Sequence, residues 1–310
     1  MTAINMMSFG TSGAAVADEQ ASSGGRKYNV SEKLHILDDG VIYGGSGNAG
    51  FILEVYEGIK RNLRSQDENS PRELHNIYET TINELLNHKT NKKSEYLYAN
   101  TGLTLEEVQS GTLRSGQKID EAAKSNAIAC IGTSDNLLDT SILLGGIEDG
   151  RFNIYCLETR FGGSMSPIPY QSIGSGSDES NKSLSNFFSE LPRERRSSIC
   201  PKEGLLSLIE ATNAASKINH GVGGTLSITY MDKSGIITLS EDRCVLAAEV
   251  VKAYSAGFLS KDFTHEAVGR LVIENGDVMD ISDKMFENSG SEKKLNMFLR
   301  GYKIGPTKTN

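Results

Sequence analysis

The residue best equipped for chemistry without a distant helper is Thr2. If Met1 is removed, as a small second residue permits, the chain begins with a threonine whose α-amine sits beside its own hydroxyl. That amine can take the hydroxyl proton and turn the side chain into a nucleophile. An α-amine titrates near ~7.7–8.0, far below a lysine, so a useful fraction is unprotonated at neutral pH. A nearby cation would lower its pKa further. A Met-Thr start means little alone, so other residues must converge on Thr2. The remaining reactive types do not compete. Cys130, Cys156, Cys200 and Cys244 are far apart with no Cys-x-x-Cys pair, which predicts free thiols in a reducing compartment. His35, His75, His88, His220 and His265 are scattered, and neither a metal nor any other cofactor is expected.

The composition narrows the partners. Lys and Arg number 32 against 40 Asp and Glu, a net charge of −8, which argues against nucleic acid or an anionic membrane. With 310 residues and 37% apolar content the chain can bury a full core. The longest apolar runs, such as 141–147, fall far below the ~18 residues needed to span a bilayer. The opening Met1-Thr2-Ala3-Ile4-Asn5 lacks the basic and apolar segments of a secretory signal, so a cytoplasmic location is expected. Glycine is abundant, 32 residues against 6 prolines, and falls in short clusters that predict turns and close backbone approach.

The elements that must hold such residues follow from hydrophobic period. Residues 2–8 and 13–17 read as short strands around a turn. Residues 28–37 alternate as a strand, with Asp38-Asp39-Gly40 as a hairpin turn, and 41–43 run into Gly44-Gly45-Ser46-Gly47-Asn48. Phe51, Val55, Ile59 and Leu63 then recur every four residues and predict a helix. A second helix is expected over 73–86, then a basic connector at 87–93 and a weakly amphipathic stretch at 103–123. Strands are expected at 127–131, 141–147 and 153–158. Asp178 can cap a helix to about 190, and a further helix spans 202–218. Strands at 225–231 and 236–240 flank the turn Lys233-Ser234-Gly235. The tail reads as a helix at 245–256, a hairpin at Asn275-Gly276 and a basic helix at 292–300. Hairpins outnumber crossovers, which predicts an α+β layered sandwich.

Five segments carry a family resemblance. Gly13-Ala14-Ala15-Val16-Ala17-Asp18-Glu19-Gln20-Ala21-Ser22-Ser23-Gly24 matches Gly-Val-Val-x-Ala-(Ala/Gly)-Asp-x-(Arg/Gln)-Ala-Thr-x-Gly. Asn29-Val30-Ser31-Glu32-Lys33-Leu34 matches a Val-x-x-Lys strand, and Gly44-Gly45-Ser46-Gly47-Asn48-Ala49 matches a Gly-rich approach to the first helix. Ile173-Gly174-Ser175-Gly176-Ser177-Asp178 matches Ile-Gly-Ser-Gly-x-x, the most specific of the five. Gly223-Gly224-Thr225 through Asp232-Lys233-Ser234-Gly235 matches a Gly-Gly strand with its hairpin. In this order and spacing the sequence resembles the proteasome β-subunit family of N-terminal-nucleophile hydrolases, over 2–64 and 126–243. Asp18 lies 16 residues after Thr2, the family spacing, and Lys33 lies 31 after it, one short of the usual separation. A loop deletion near Arg26 accounts for the difference.

The resemblance implies an αββα sandwich of two antiparallel sheets flanked by helices. The hydrolase domain would cover 2–243 with a helical insertion at about 65–125, and 244–310 would form a C-terminal extension of helix, hairpin and helix. The resemblance also implies roles. Thr2 Oγ attacks a peptide carbonyl with the α-amine as proton shuttle. Lys33 supplies positive charge, Asp18 holds Lys33, Gly47 N–H donates to the oxyanion, and Ser175 hydrogen-bonds near the Thr2 amine. Gly45 falls at the base of the specificity pocket, where the lack of a side chain predicts a deep, apolar site. Ala21 and Ala49 fall at the other substrate-binding positions, and Asn219 and Gly223 support the site. Taken singly, Asp18 is also a strand-end turn residue, Lys33 a solvated strand lysine and Ser175 a helix-cap residue.

Two departures stand out. Asn219 replaces an Asp of the family, and Val222 replaces a Ser that would touch the amine; Val222 cannot hydrogen-bond through its side chain. Thr11, after Phe9-Gly10, mimics the family's propeptide cleavage point. It lies only seven residues before Asp18, too close for the intervening strands.

The function expected is thus a threonine-type peptidase or amidase acting on a peptide or protein substrate through an acyl-enzyme, in a homo-oligomer such as a ring. A peptide ligase or transpeptidase would use the same acyl-enzyme, and a non-catalytic ring subunit is the alternative outside enzymology. No ATPase or other regulator is identified from the sequence.

Overall fold

Alternation at period two builds the first strands, and small residues let them pack closely. The computed structural model describes residues 2–23, 26–28, 32–37, 40–65, 73–220 and 222–299. The strands are β1 (Ile4–Ser8), β2 (Gly13–Asp18), β3 (Ala21–Ser23), β4 (Arg26–Tyr28), β5 (Leu34–Leu37) and β6 (Val41–Ser46). Four helices follow, α1 (Ala49–Ser65), α2 (Leu74–Thr101), α3 (Leu105–Ser110) and α4 (Glu121–Leu137). Strands return as β7 (Ser141–Glu148), β8 (Arg151–Glu158), β9 (Gly162–Met165) and β10 (Tyr170–Ile173). After α5 (Ser177–Glu190) and α6 (Pro201–Ile218) come β11 (Leu226–Asp232) and β12 (Gly235–Thr238). The last described elements are α7 (Glu241–Ser255), α8 (Lys261–Val272), α9 (Val278–Glu287) and α10 (Glu292–Phe298).

The strands form two five-stranded sheets, ordered β10-β1-β2-β11-β12 and β5-β6-β7-β8-β9, with β3 and β4 as a separate pair. The protein is therefore a mixed α and β structure with antiparallel sheets and helices. It divides into two compact units. The first comprises residues up to 46, 142–156 and 165 onward; the second comprises 47–141 and 157–164.

In the first unit, alternation sorts the side chains into two cores. Ile4 and Met6 of β1, Ala15 and Ala17 of β2, and Ile173 of β10 meet Leu34, Ile42, Leu143, Phe152 and Ile154 of the other sheet. The opposite face, with Met7, Ala14, Val16, Ile228 and Tyr230, packs on Leu205, Leu208 and Ile209 of α6. Helices α7 to α10 share that second core through Leu246, Val250, Leu271, Ile281, Met285 and Leu295. Each such side chain, fully buried, contributes about 1.5–3 kcal/mol. Gly13 and Gly145 sit where any Cβ would overlap the Phe152 ring, so the facing sheets require glycine there.

The second unit has its own small core of Leu97, Leu103, Val108, Ile119 and Ala127. Lys93 of α2 pairs with Asp135 of α4 at 2.9 Å, and Lys89 Nζ donates to Thr159 O at 2.7 Å.

Four expectations require correction. Residues 127–131 are helix within α4, not strand. Asp120 caps that helix, its carboxylate accepting from Ala122 N and Ala123 N, and Ala127, Cys130 and Ile131 pack at helical spacing while Ile128 faces out. Residues 87–93 continue α2 instead of connecting it, because their lysines pair with neighbouring segments. The Asn275-Gly276 dipeptide joins helices α8 and α9 and makes no hairpin. Asn275 takes a left-handed φ of 53°, Gly276 N donates to Arg270 O at 2.8 Å, and the Arg243 guanidinium binds Leu271 O, Asn275 O and Gly276 O. Asp178 lies in the first turn of α5, which begins after Gly176 without a side-chain cap. The strand expected over 28–37 is described as β4 ending at Tyr28 and β5 starting at Leu34; residues 29–31, like Asp38, Asp39 and Gly221, lie outside the described residues.

One buried charge in α7 gives a pH prediction. Glu249 is 1% exposed, and burial pushes its carboxyl from 4.5 up to about 7. Between these values the folded protein holds a proton that the unfolded chain has lost. Its contribution is full below pH 4.5 and is lost as pH rises through 7. The size is on the order of 3 kcal/mol. Glu249→Gln should therefore match the parent in urea denaturation at pH 4.5 and exceed it by up to about 3 kcal/mol at pH 8. An unchanged pH slope would show that Glu249 is solvated when folded.

Candidate active site

The β1–β2 register places the start of the chain against the end of β2. Ile4 pairs with Ala17, so Ala3 lies opposite Asp18. Ala3 N donates to Asp18 Oδ1 at 2.7 Å, and Asp18 N donates to Ala3 O at 3.2 Å. Asp18 also receives Lys33 Nζ on Oδ1 at 2.8 Å and Gly223 N on Oδ2 at 3.1 Å. The Lys33 ammonium donates in turn to Gln20 O at 2.7 Å.

This is a buried ion pair, with Asp18 0% and Lys33 7% exposed. Such pairs persist only when the remaining hydrogen-bonding capacity is filled, as it is here by two backbone N–H groups and a carbonyl. Burial lowers the Lys33 pKa from its ordinary value, and the Asp18 charge offsets part of that fall. Because Lys33 Nζ and Ala3 N share one carboxylate oxygen, the ammonium lies no more than two hydrogen-bond lengths from the Ala3 nitrogen.

Thr2 is held by the segment after β10. Its backbone nitrogen donates to Ser175 Oγ at 3.1 Å, and its carbonyl accepts from Gly176 N at 3.0 Å. Gly174 is left-handed, with φ +96°, and a Cβ there would collide with the Thr2 carbonyl; only glycine allows this approach. Asn219, just after α6, donates from Nδ2 to Ser175 O at 2.8 Å. Val222 closes the corner as an apolar peg against Ala3 and Ala215. The Val222 side chain thus packs where the resemblance would place a hydroxyl.

Of the residues singled out from the sequence, the first unit brings Thr2, Asp18, Lys33, Ser175, Asn219 and Gly223 together. Gly45 is buried within β6. Ala21 belongs to β3, paired with Tyr28 of β4. Gly47 and Ala49 belong to the second unit. There Gly47 has φ +127°, and a Cβ would lie 2.5 Å from Asp139 O and 2.8 Å from Thr140 Oγ1. Ala49 opens α1, where Asn48 Oδ1 accepts from Phe51 N at 3.2 Å.

Sequence reasoning missed the Gln20 carbonyl as the second acceptor of Lys33. Backbone acceptors leave no residue signature, although an ammonium beside one carboxylate always calls for more acceptors. Among the described residues, no three His, Cys, Asp or Glu are grouped to hold a metal ion, and no helix is long and apolar enough to cross a membrane. The four cysteines are free thiols.

No protein-family model matches the chain, and no curated protein matches it.

Proposed function

We propose that this chain is a threonine-type peptidase or amidase, a divergent relative of proteasome β-subunits that uses Thr2 as an N-terminal nucleophile. The observation that carries this reading is the Asp18 carboxylate. It gathers Lys33 Nζ, Ala3 N and Gly223 N directly behind Thr2, whose nitrogen meets Ser175 Oγ. The two facing antiparallel sheets, one backed by α5 and α6, support an N-terminal-nucleophile sandwich.

In this reading a cut before Thr2 frees its α-amine. The amine takes the hydroxyl proton as Thr2 Oγ adds to the substrate carbonyl, then delivers it to the leaving amine as the acyl-enzyme forms. Water, activated by the same amine, releases the acyl group. Lys33 lowers the pKa of the amine and hydroxyl through its charge. Asp18 keeps that charge in place, and Ser175, itself fixed by Asn219, orients the amine.

The test is intact-mass analysis after treatment with an electrophile that needs both the free amine and the hydroxyl of an N-terminal threonine. One adduct per chain at Thr2, on a chain lacking Met1, is expected. A chain retaining Met1, or one that forms no adduct, overturns the reading. An added amine that captures the acyl group faster than water would assign the enzyme to ligation in place of hydrolysis.

A further inference from the structure

Behind Asp18, on helices α6 and α7, lies a partly enclosed cavity of about 260 Å³. Two of its lining residues are polar, deeply buried and unsatisfied. Glu249 of α7 is 1% exposed and Asn213 of α6 is 8% exposed. Glu249 Oε1 and Asn213 Nδ2 have no hydrogen-bond partner. Glu249 interrupts a run of buried apolar residues, Leu246 to Val251, where a carboxyl without a partner is costly.

The two groups want opposite things. Asn213 Nδ2 needs an acceptor, and Glu249 Oε1 needs a donor. The charges around them are balanced. Lys252 lines the cavity one turn beyond Glu249 and draws its carboxyl down. Asp18, the charged group facing the cavity from β2, already accepts from Lys33, Ala3 and Gly223. The lining residues of α6, Thr212, Asn213 and Ser216, are uncharged. Above pH 7, where Glu249 is ionised, a carboxylate ligand cannot donate to it, and an ammonium cannot accept from Asn213. A carboxamide does both from neighbouring atoms. The volume exceeds that of a single water, which occupies roughly 30 Å³ in the liquid.

We propose that this cavity is a binding site for a small uncharged carboxamide, its N–H donating to Glu249 and its carbonyl accepting from Asn213. The site shares Asp18 and Gly223 with the candidate active site but needs no chemistry at Thr2, and it is tested without activity.

Propionamide, propionate and propylammonium serve as probes, titrated into the isotope-labelled full chain at pH 8 and followed by backbone amide shifts. Propionamide should shift the amides of Asn213, Gly223 and Glu249 saturably, and at least tenfold more tightly than either charged analogue. Ala248→Met fills the cavity from α7 while keeping both polar groups, and should weaken propionamide at least tenfold. Ala248→Val repeats the test with a smaller plug if the larger one unfolds the chain. The proposal is overturned if propionamide leaves these amides unmoved, if a charged analogue binds as well, or if a folded Ala248 variant binds propionamide like the parent.

Discussion

Thr2→Ala should lower the hydrolysis of a peptide amide by roughly 10⁴-fold or more, the scale on which loss of a nucleophile acts in hydrolases. It should do so with little effect on folding. Both bonds that hold Thr2 run through its backbone, from its nitrogen to Ser175 Oγ and from Gly176 N to its carbonyl. Alanine keeps both. The change in stability should therefore stay within about 0.5 kcal/mol, as for substitutions that disturb no packing or cap. Thr2→Ser restores a hydroxyl on the same backbone and should recover most of the lost rate. Steady-state hydrolysis of a fluorogenic peptide, with urea denaturation of the same samples, separates these effects. Equal activity in Thr2→Ala and the parent would remove Thr2 from the mechanism.

Legibility from sequence depended on whether the signal was local. Strands β1, β2 and β11 were readable as short apolar runs bounded by turn residues, with Ile4, Met6, Ala15 and Ala17 buried on one face and Met7, Ala14, Val16 and Ile228 on the other. Helix α6 was readable from Leu205, Leu208 and Ile209. The run Ala127-Ile128-Ala129-Cys130-Ile131 misled because five apolar residues suit a strand or a helix equally. What decides is Asp120, seven residues upstream, capping a helix that passes through them. The basic stretch at 87–93 misled for the opposite reason. Its helix is held by Lys93 on Asp135 and Lys89 on Thr159 O, contacts 42 and 70 residues away in sequence. Asn275-Gly276 is a hairpin signal in isolation, yet Arg243, 32 residues before Asn275, gathers the carbonyls there and makes it a helix stop. At the candidate site the side chains were named through the family resemblance of their motifs. The carbonyl of Gln20 and the N–H of Gly223 could not be, since every residue carries such groups.

The buried pair offers the largest stability effect, and its two halves should not be equal. Asp18→Ala removes the acceptor of three donors. It leaves the Lys33 ammonium, 7% exposed, with the Gln20 carbonyl, and leaves Ala3 N and Gly223 N without their acceptor. Breaking one half of a buried pair costs about 3–5 kcal/mol, a large part of the ~5–15 kcal/mol that holds a typical protein folded. Lys33→Met leaves Asp18 with its two backbone donors, which still stabilise a carboxylate. Its cost should be smaller, nearer the ~1–3 kcal/mol of a lost charge-assisted hydrogen bond. The double variant Asp18→Ala with Lys33→Met removes the stranded ammonium and should cost less than the two singles combined by about 2 kcal/mol. Urea denaturation of the four proteins closes this cycle. Repeating it in 1 M salt should leave the coupling nearly intact, because counter-ions screen exposed charges and reach buried ones poorly. Additive losses, or coupling that vanishes in salt, would mean that water reaches the pair and that Lys33 cannot act on Thr2 through a low-dielectric interior.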